Sequence, residues 1–234
     1  MKQNDEKTSA MIEAKGISKS YVVGTQKTPV LEGVDLKVEK GEFVSLMGPS
    51  GSGKSTLLYI LGGLDKADSG SVLIGGRDIG AMDDAAESAM RRDSIGFVFQ
   101  AYNLIDNLTV EENILIPALL SGKKRGGVSE QLEELLKAVG LCAQRKHRPM
   151  ELSGGQQQRT AIARALINRP AVVFADEPTG NLDSRSGSDV LELFAMLKSR
   201  YGITVLMVTH SEDAARYADR IVRLKDGRIA DSRN

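Results

Sequence analysis

The segment Gly48-Pro49-Ser50-Gly51-Ser52-Gly53-Lys54-Ser55 constrains this chain more than any other stretch. It follows a short apolar run, Phe43–Met47, bounded by glycine and read as a buried strand, and it leads into Lys54–Leu61, read as a helix. The spacing G-x-x-x-x-G-K-S between a strand and a helix is that of a phosphate-binding loop. Its three glycines let successive backbone N–H groups face one point, where they can bond phosphate oxygens. The following helix adds the positive end of its dipole. Lys54 then sets an ammonium on the terminal phosphates, Ser55 offers a hydroxyl to Mg²⁺, and Thr56 follows in the first helical turn. The expectation is nucleoside triphosphate binding.

The rest of the chain gives that loop a soluble, globular setting. The chain has 234 residues, enough for one large domain or two lobes. Hydrophobic residues at 41% and charged residues at 26% allow a real core and exclude global disorder. The 31 basic and 31 acidic residues cancel, so no basic footprint for nucleic acid is visible. A single cysteine, Cys142, excludes an intrachain disulfide and a cysteine-cluster metal site, and fits a reducing compartment. No apolar run is long enough to span a bilayer, and Met1–Ala10 is polar, without the apolar core of a signal peptide. A cytoplasmic protein is expected, with any membrane span supplied by another chain.

Strands alternate with helices over most of the length. Val34, Leu36 and Val38 alternate with charged residues as in a half-buried strand, and Lys40-Gly41 makes a turn. Ser71–Ile74 and Gly96–Phe99 are further strands. Leu132, Leu135, Leu136 and Val139 mark an amphipathic helix stopped by Gly140. Gly154–Ile167 and Ser186–Ser199 read as helices, Ala171–Ala175 and Ile203–Val208 as buried strands, and Asp226-Gly227 as a hairpin turn. The pattern predicts an α/β core with a mainly parallel sheet. Residues 101–150 carry no strand signal and are expected to form a helical lobe set onto that core.

Asp176 and Glu177 end the apolar run Val172–Ala175. That places two carboxylates at the sheet's carboxyl edge, where open α/β sheets bind ligands. Asp176 would hold Mg²⁺ through water and Glu177 would orient or deprotonate the attacking water, as phosphoryl transfer requires. The alternative is a solvated pair preceding Pro178.

Leu152-Ser153-Gly154-Gly155-Gln156 resembles the signature sequence of the ATP-binding cassette (ABC) ATPases, and it stands upstream of the Asp176-Glu177 strand as in that family. Other landmarks follow in order. Tyr21 resembles the aromatic residue that stacks on adenine, although a plain core or edge aromatic would also fit. Gln100 resembles the glutamine that touches Mg²⁺ and water, Asn181-Leu182-Asp183 the D-loop, and His210 the switch histidine that contacts the γ-phosphate. The resemblance runs from about Ile12 to Ile229. It implies a phosphate-loop NTPase core with an antiparallel β part and an inserted helical subdomain. The core would be 1–100 and 151–234, and the helical part 101–150, extending to about 167. It further implies ATP and Mg²⁺ as ligands, Glu177, His210 and Gln100 as catalytic groups, and Ser55, Gln100 and Asp176 at the metal. Ser153, Gly154, Gly155 and Gln156, in the signature, would serve the ATP of a second copy, and Asp183 would be a further nucleotide-binding residue. That second copy would pack head to tail and sandwich two nucleotides. A helix start rich in N–H groups suits such an anion. Ser211 and Glu212 follow His210 where many members have Asp first, and neither is given a catalytic role.

Gly62-Gly63-Leu64-Asp65 and Gly180-Asn181-Leu182-Asp183 resemble one branch, the lipoprotein-release, macrolide-export, cell-division and peptide-resistance ATPases. The branch implies a membrane permease subunit with a large extracytoplasmic domain, docked on 101–150 with Gln100 as hinge. It also implies a peripheral location on the cytoplasmic side of the membrane. The alternatives are a slow-turnover scaffold in cell division or signalling, and a DNA-repair ATPase. The latter class carries long coiled coils, and no sustained heptads occur here. Translation-factor cassettes come as two copies per chain. His147, among Arg145, Lys146 and Arg148, reads as part of a solvated basic face, while Cys142 and the scattered methionines read as buried.

Overall fold

A computed structural model describes residues 10–233, so most of the Met1–Ala10 stretch lies outside the described residues. The chain begins with two long strands, β1 (Ala10–Val23) and β2 (Gln26–Glu39), followed by β3 (Phe43–Met47) and helix α1 (Lys54–Leu61). Next come β4 (Ser69–Ile74), β5 (Arg77–Asp78), α2 (Asp84–Ser94) and β6 (Ile95–Phe99). Helices α3 (Val110–Leu120), α4 (Ser129–Ala138) and α5 (Gly154–Leu166) follow without an intervening strand. The last part holds β7 (Val172–Asp176), α6 (Ser184–Tyr201), β8 (Thr204–Thr209), α7 (Glu212–Ala215), β9 (Arg220–Lys225) and β10 (Arg228–Arg233).

Two sheets result. The larger has the order β10-β9-β3-β8-β7-β6 and is parallel except for the terminal hairpin strand β10. Asp226 and Gly227, with φ of 48° and 74°, supply the left-handed pair that such a hairpin needs. The smaller sheet is antiparallel, in the order β2-β1-β4-β5.

Every residue of β3, β7 and β8 is buried, because the parallel sheet is covered on both faces. Val44, Leu46, Val172, Phe174, Leu206 and Val208 face one core with α1 and the antiparallel sheet. Phe43, Val173, Ala175, Val205 and Met207 face the other, with α3 to α6. The period of two thus splits each strand between two cores.

The expected strands and helices are present within a few residues of their expected ends, except that the strand read at Val34–Val38 begins eight residues earlier, at Gln26. Two readings of single residues are corrected. Cys142 is exposed, since Leu141 takes the buried side as the chain leaves α4 and Cys142 enters the following turn. Met150 is also exposed, at 90%, on the short 3-10 turn Pro149–Glu151, so the methionines are not all core. The basic run around His147 is solvated only in part. Arg145 and Lys146 reach back to the carboxylate of Glu111, which is itself 2% exposed.

Candidate functional site

The strand order places four neighbouring carboxyl ends side by side: β3, β8, β7 and β6. Met47 is in register with Thr209, Val208 with Asp176, and Asp176 with Phe99. The residues that follow are therefore brought to one edge: the 48–55 loop after β3, His210 after β8, Glu177 after β7 and Gln100 after β6. They surround an open cleft of about 620 Å³ lined by Val30, Ser50, Gly51, Gly53, Lys54, Ser55, Thr56, Gln100, Glu177 and His210.

The loop is held tightly from behind. A Cβ at Gly48 would stand 2.1 Å from the Leu224 carbonyl oxygen of β9, so only glycine lets the chain pass there. The Gly227 N–H donates to the Ser52 carbonyl, tying the loop to the terminal hairpin. The Ser52 hydroxyl is buried with no partner. Lys54 is 6% exposed and its ammonium donates to the Pro49 carbonyl at 2.8 Å, which curls the side chain back over the loop.

Beneath the cleft, Asp176 is buried and accepts from Ser55 Oγ at 2.9 Å and from the Tyr59 hydroxyl at 2.6 Å. Burial, and then the Asp176 carboxylate, push the Tyr59 phenol far above its ordinary value, so it remains a donor at all physiological pH. Glu177 is the next residue. Its backbone has φ of 45°, left-handed and costly for a side chain of this kind. Its N–H donates to the Val208 carbonyl, and its carboxylate Oε2 lies 2.6 Å from His210 Nδ1.

A magnesium triphosphate suits this donor set. The N-terminus of α1 has no side-chain cap and no acidic residue in its first turn, unlike α2, α3 and α7. Its free N–H groups face the cleft beside a buried lysine, which favours an anion. Among the described residues no cluster of three or more His, Cys, Asp or Glu could cage a metal alone. Magnesium does not need one, since it is commonly held by one or two protein oxygens plus substrate phosphates.

Other expected site residues lie outside the cleft lining. Tyr21 is on β1, 40% exposed, with its hydroxyl donating to Asp65 at 2.6 Å and the Lys19 ammonium 5.0 Å from its ring centroid. Burial, then the Asp65 hydrogen bond, raise its phenol, while the neighbouring Thr56 opposes the rise. Ser153 is the N-cap of α5. Its Oγ accepts from the Gln156 N–H at 3.3 Å while Gln156 Oε1 accepts from the Ser153 N–H at 2.9 Å, a reciprocal capping box. Gly154 packs near Tyr102 and Leu182, and Gly155 near Ser186. Asp183 caps α6, accepting from the Ser186 N–H and hydroxyl, which hold its carboxyl below the usual range.

Three residues of the site escape the motif reading of the sequence. Val30 lines the cleft from the antiparallel sheet. Tyr59 was legible only as a helix position, and its contact with Asp176 spans 117 residues. Gln158 of α5 is fully buried and donates to the Pro178 carbonyl at 2.8 Å, fixing the turn that follows Glu177. A buried glutamine two positions beyond the signature was the available signal.

Comparison with known proteins places this geometry. Residues 31–180 match the family model described as ABC transporter. The lipoprotein-releasing system ATP-binding protein LolD 1 of Rhodopseudomonas palustris is 49% identical over 222 residues, covering 94% of this chain and 98% of that protein. The macrolide export ATP-binding/permease protein MacB of Marinobacter nauticus is 48% identical over 94% of this chain. The chain spans only 34% of that relative's length. A dimeric structure of a post-hydrolysis state of the ATP-binding cassette MJ0796, bound to ADP and Pi, superposes with a TM-score of 0.87 at 43% identity, covering 96% of this chain and 98% of that one. The chain thus belongs to the ABC transporter family, as an ATPase cassette similar to the ATP-binding parts of LolD and MacB.

Proposed function

We propose that this chain is the ATP-hydrolysing subunit of a transporter whose membrane-spanning part is a separate permease with a large extracytoplasmic domain. Two copies would close around two ATP molecules, and the cycle of closing and parting would drive export, lipoprotein release, peptide resistance or mechanical transmission. Among the described residues no helix is long and apolar enough to cross a membrane. In this reading the chain acts peripherally, on the cytoplasmic side, through that partner. Residues up to 100 and from 151 onward form the nucleotide-binding core, and 101–150, extending to about 167, the helical lobe that meets the permease.

The observation that carries the reading is the separation of the phosphate loop from the signature at the start of α5. The loop 48–55 faces the cleft with Lys54, Gln100, Glu177 and His210, whereas Ser153 is exposed and absent from the cleft lining. A signature outside the cleft lining of its own chain is available to the nucleotide of another.

Within one site the roles divide by chemistry. Backbone N–H groups of the loop and the Lys54 ammonium hold the phosphates, and Tyr21 faces the adenine. Ser55, Asp176 and Gln100 would hold the metal. When bound there, Mg²⁺ neutralises charge on the terminal phosphates. Glu177 accepts the proton of the attacking water as the γ-phosphorus–oxygen bond to ADP breaks, and His210 donates to the γ-phosphate. Loss of that phosphate removes the contacts shared by the two chains, so the dimer parts. Release of phosphate from ATP by the purified chain, alone and with its permease, tests the reading; absence of hydrolysis in both settings would refute it.

A further inference from the structure

Two amides at the cleft rim bond to each other reciprocally. The Gln100 side chain donates from Nε2 to Asn181 Oδ1 at 3.0 Å, and Asn181 donates from Nδ2 to the Gln100 backbone carbonyl, also at 3.0 Å. Their orientations follow from chemistry. The backbone carbonyl of Gln100 can only accept, so Asn181 must turn its NH₂ toward it. That leaves Asn181 Oδ1, also acceptor only, facing the Gln100 side chain. Gln100 must answer with its own NH₂, and its Oε1 is left as the free atom, in a residue that lines the cleft.

The backbone at 180 is shaped to this pairing. A Cβ on Gly180 would fall 2.6 Å from Gln100 Nε2 and 2.9 Å from Cδ, so any side chain there would displace the glutamine. The same glycine closes the Glu177 turn, its N–H donating to the Glu177 carbonyl at 3.0 Å. Asn181, Gly180 and Glu177 therefore form one short rigid link from the catalytic carboxylate to Gln100.

We infer that Asn181 is a positioning residue that orients the Gln100 amide so that its oxygen faces the divalent cation. The inference rests on the reading of Gln100 as a cation-facing group. Asn181 is not among the residues that line the cleft; it acts as an outer-shell partner that sets the direction of a ligand. Without it the amide of an exposed glutamine rotates freely, and holding its oxygen toward the cation costs that freedom.

The test measures how much Mg²⁺ tightens nucleotide binding, not activity. The dissociation constant of a fluorescent ATP analogue is determined with Mg²⁺ and with EDTA, in the Glu177→Gln background so that turnover is slow. In Asn181→Ala the ratio of the two constants should fall by about tenfold, with the EDTA value unchanged. Gly180→Ala, which displaces Gln100 and leaves Asn181 in place, should lower the ratio likewise. In a Gln100→Ala background Asn181→Ala should have no further effect, whereas a general structural loss would add. A ratio lowered by Gln100→Ala but untouched by Asn181→Ala would overturn the inference alone. A ratio untouched by Gln100→Ala would overturn the reading of Gln100 and the inference with it.

Discussion

The carboxylate of Glu177 lies 2.6 Å from the Nδ1 of His210, across two adjacent parallel strands. Glu177 reaches that position only by holding a left-handed backbone, φ 45°, just after a fully buried strand. Val208 holds its N–H and Gln158, through Pro178, holds the turn beyond. A strained residue held from two sides, beside a histidine and a phosphate loop, supports the proposed chemical role of Glu177.

Replacement of Glu177 by Gln keeps the shape and removes the proton acceptor. Phosphate release should fall by about 100-fold or more, while ATP still binds and a stable dimer elutes in gel filtration. Rapid turnover in this variant would assign the base to another group.

Lys54→Ala removes the buried ammonium that now rests on Pro49. Charge-assisted bonds to phosphate contribute about 1.5–3 kcal/mol, so the ATP dissociation constant should rise by roughly tenfold to a hundredfold. Calorimetric titration measures it, and an unchanged constant would refute the role.

Tyr59→Phe deletes the hydroxyl that donates to Asp176. The buried carboxylate keeps Ser55 but loses one of its two side-chain donors, which should cost about 1–2 kcal/mol of stability. Urea unfolding reports that loss. If the midpoint does not move, the contact contributes nothing to folding.

Glu111 of α3 pairs with Arg125, in the link before α4, and with Arg145 and Lys146, in the segment after it. Burial pushes its carboxyl up, but hydrogen bonds from Lys146 and Arg145 outweigh this and leave it below the ordinary value of 4.5. Folding therefore favours the charged form. Its contribution is complete above 4.5 and is lost as pH falls through the lowered folded value. Glu111→Gln should cost about 2 kcal/mol at neutral pH, because its three cations remain partly solvated. In acid the gap between variant and parent should shrink. A gap that does not change with pH would show that charge is not the cause.

Much of this arrangement was legible in the sequence, and the misses have physical reasons. Phe43–Met47 and Lys54–Leu61 were readable to the residue because glycines stand at or near their ends and burial on both sheet faces keeps the strand mostly apolar. Strand β1 was not. Its register shifts between Ala14 and Ile17 and again between Ile17 and Lys19, which breaks the alternation that would have marked it. Helix α2 buries only Met90, so it has no apolar stripe to find. The loop, Glu177, His210 and Gln100 each end a recognisable strand, and strand order alone brings them together. The Tyr59–Asp176 and Gln100–Asn181 pairs are contacts between distant side chains, and periodicity carries no trace of them.

The most direct test of the shared nucleotide mixes two damaged chains, both carrying Glu177→Gln. One also carries Lys54→Ala and the other Ser153→Arg, and labelled ATP retained in the dimer fraction is counted. If the signature serves the partner's nucleotide, neither chain alone retains ATP, while the mixture does, because one of its composite sites has both Lys54 and Ser153 intact. Retention by the Ser153→Arg chain alone, or none in the mixture, would contradict the account.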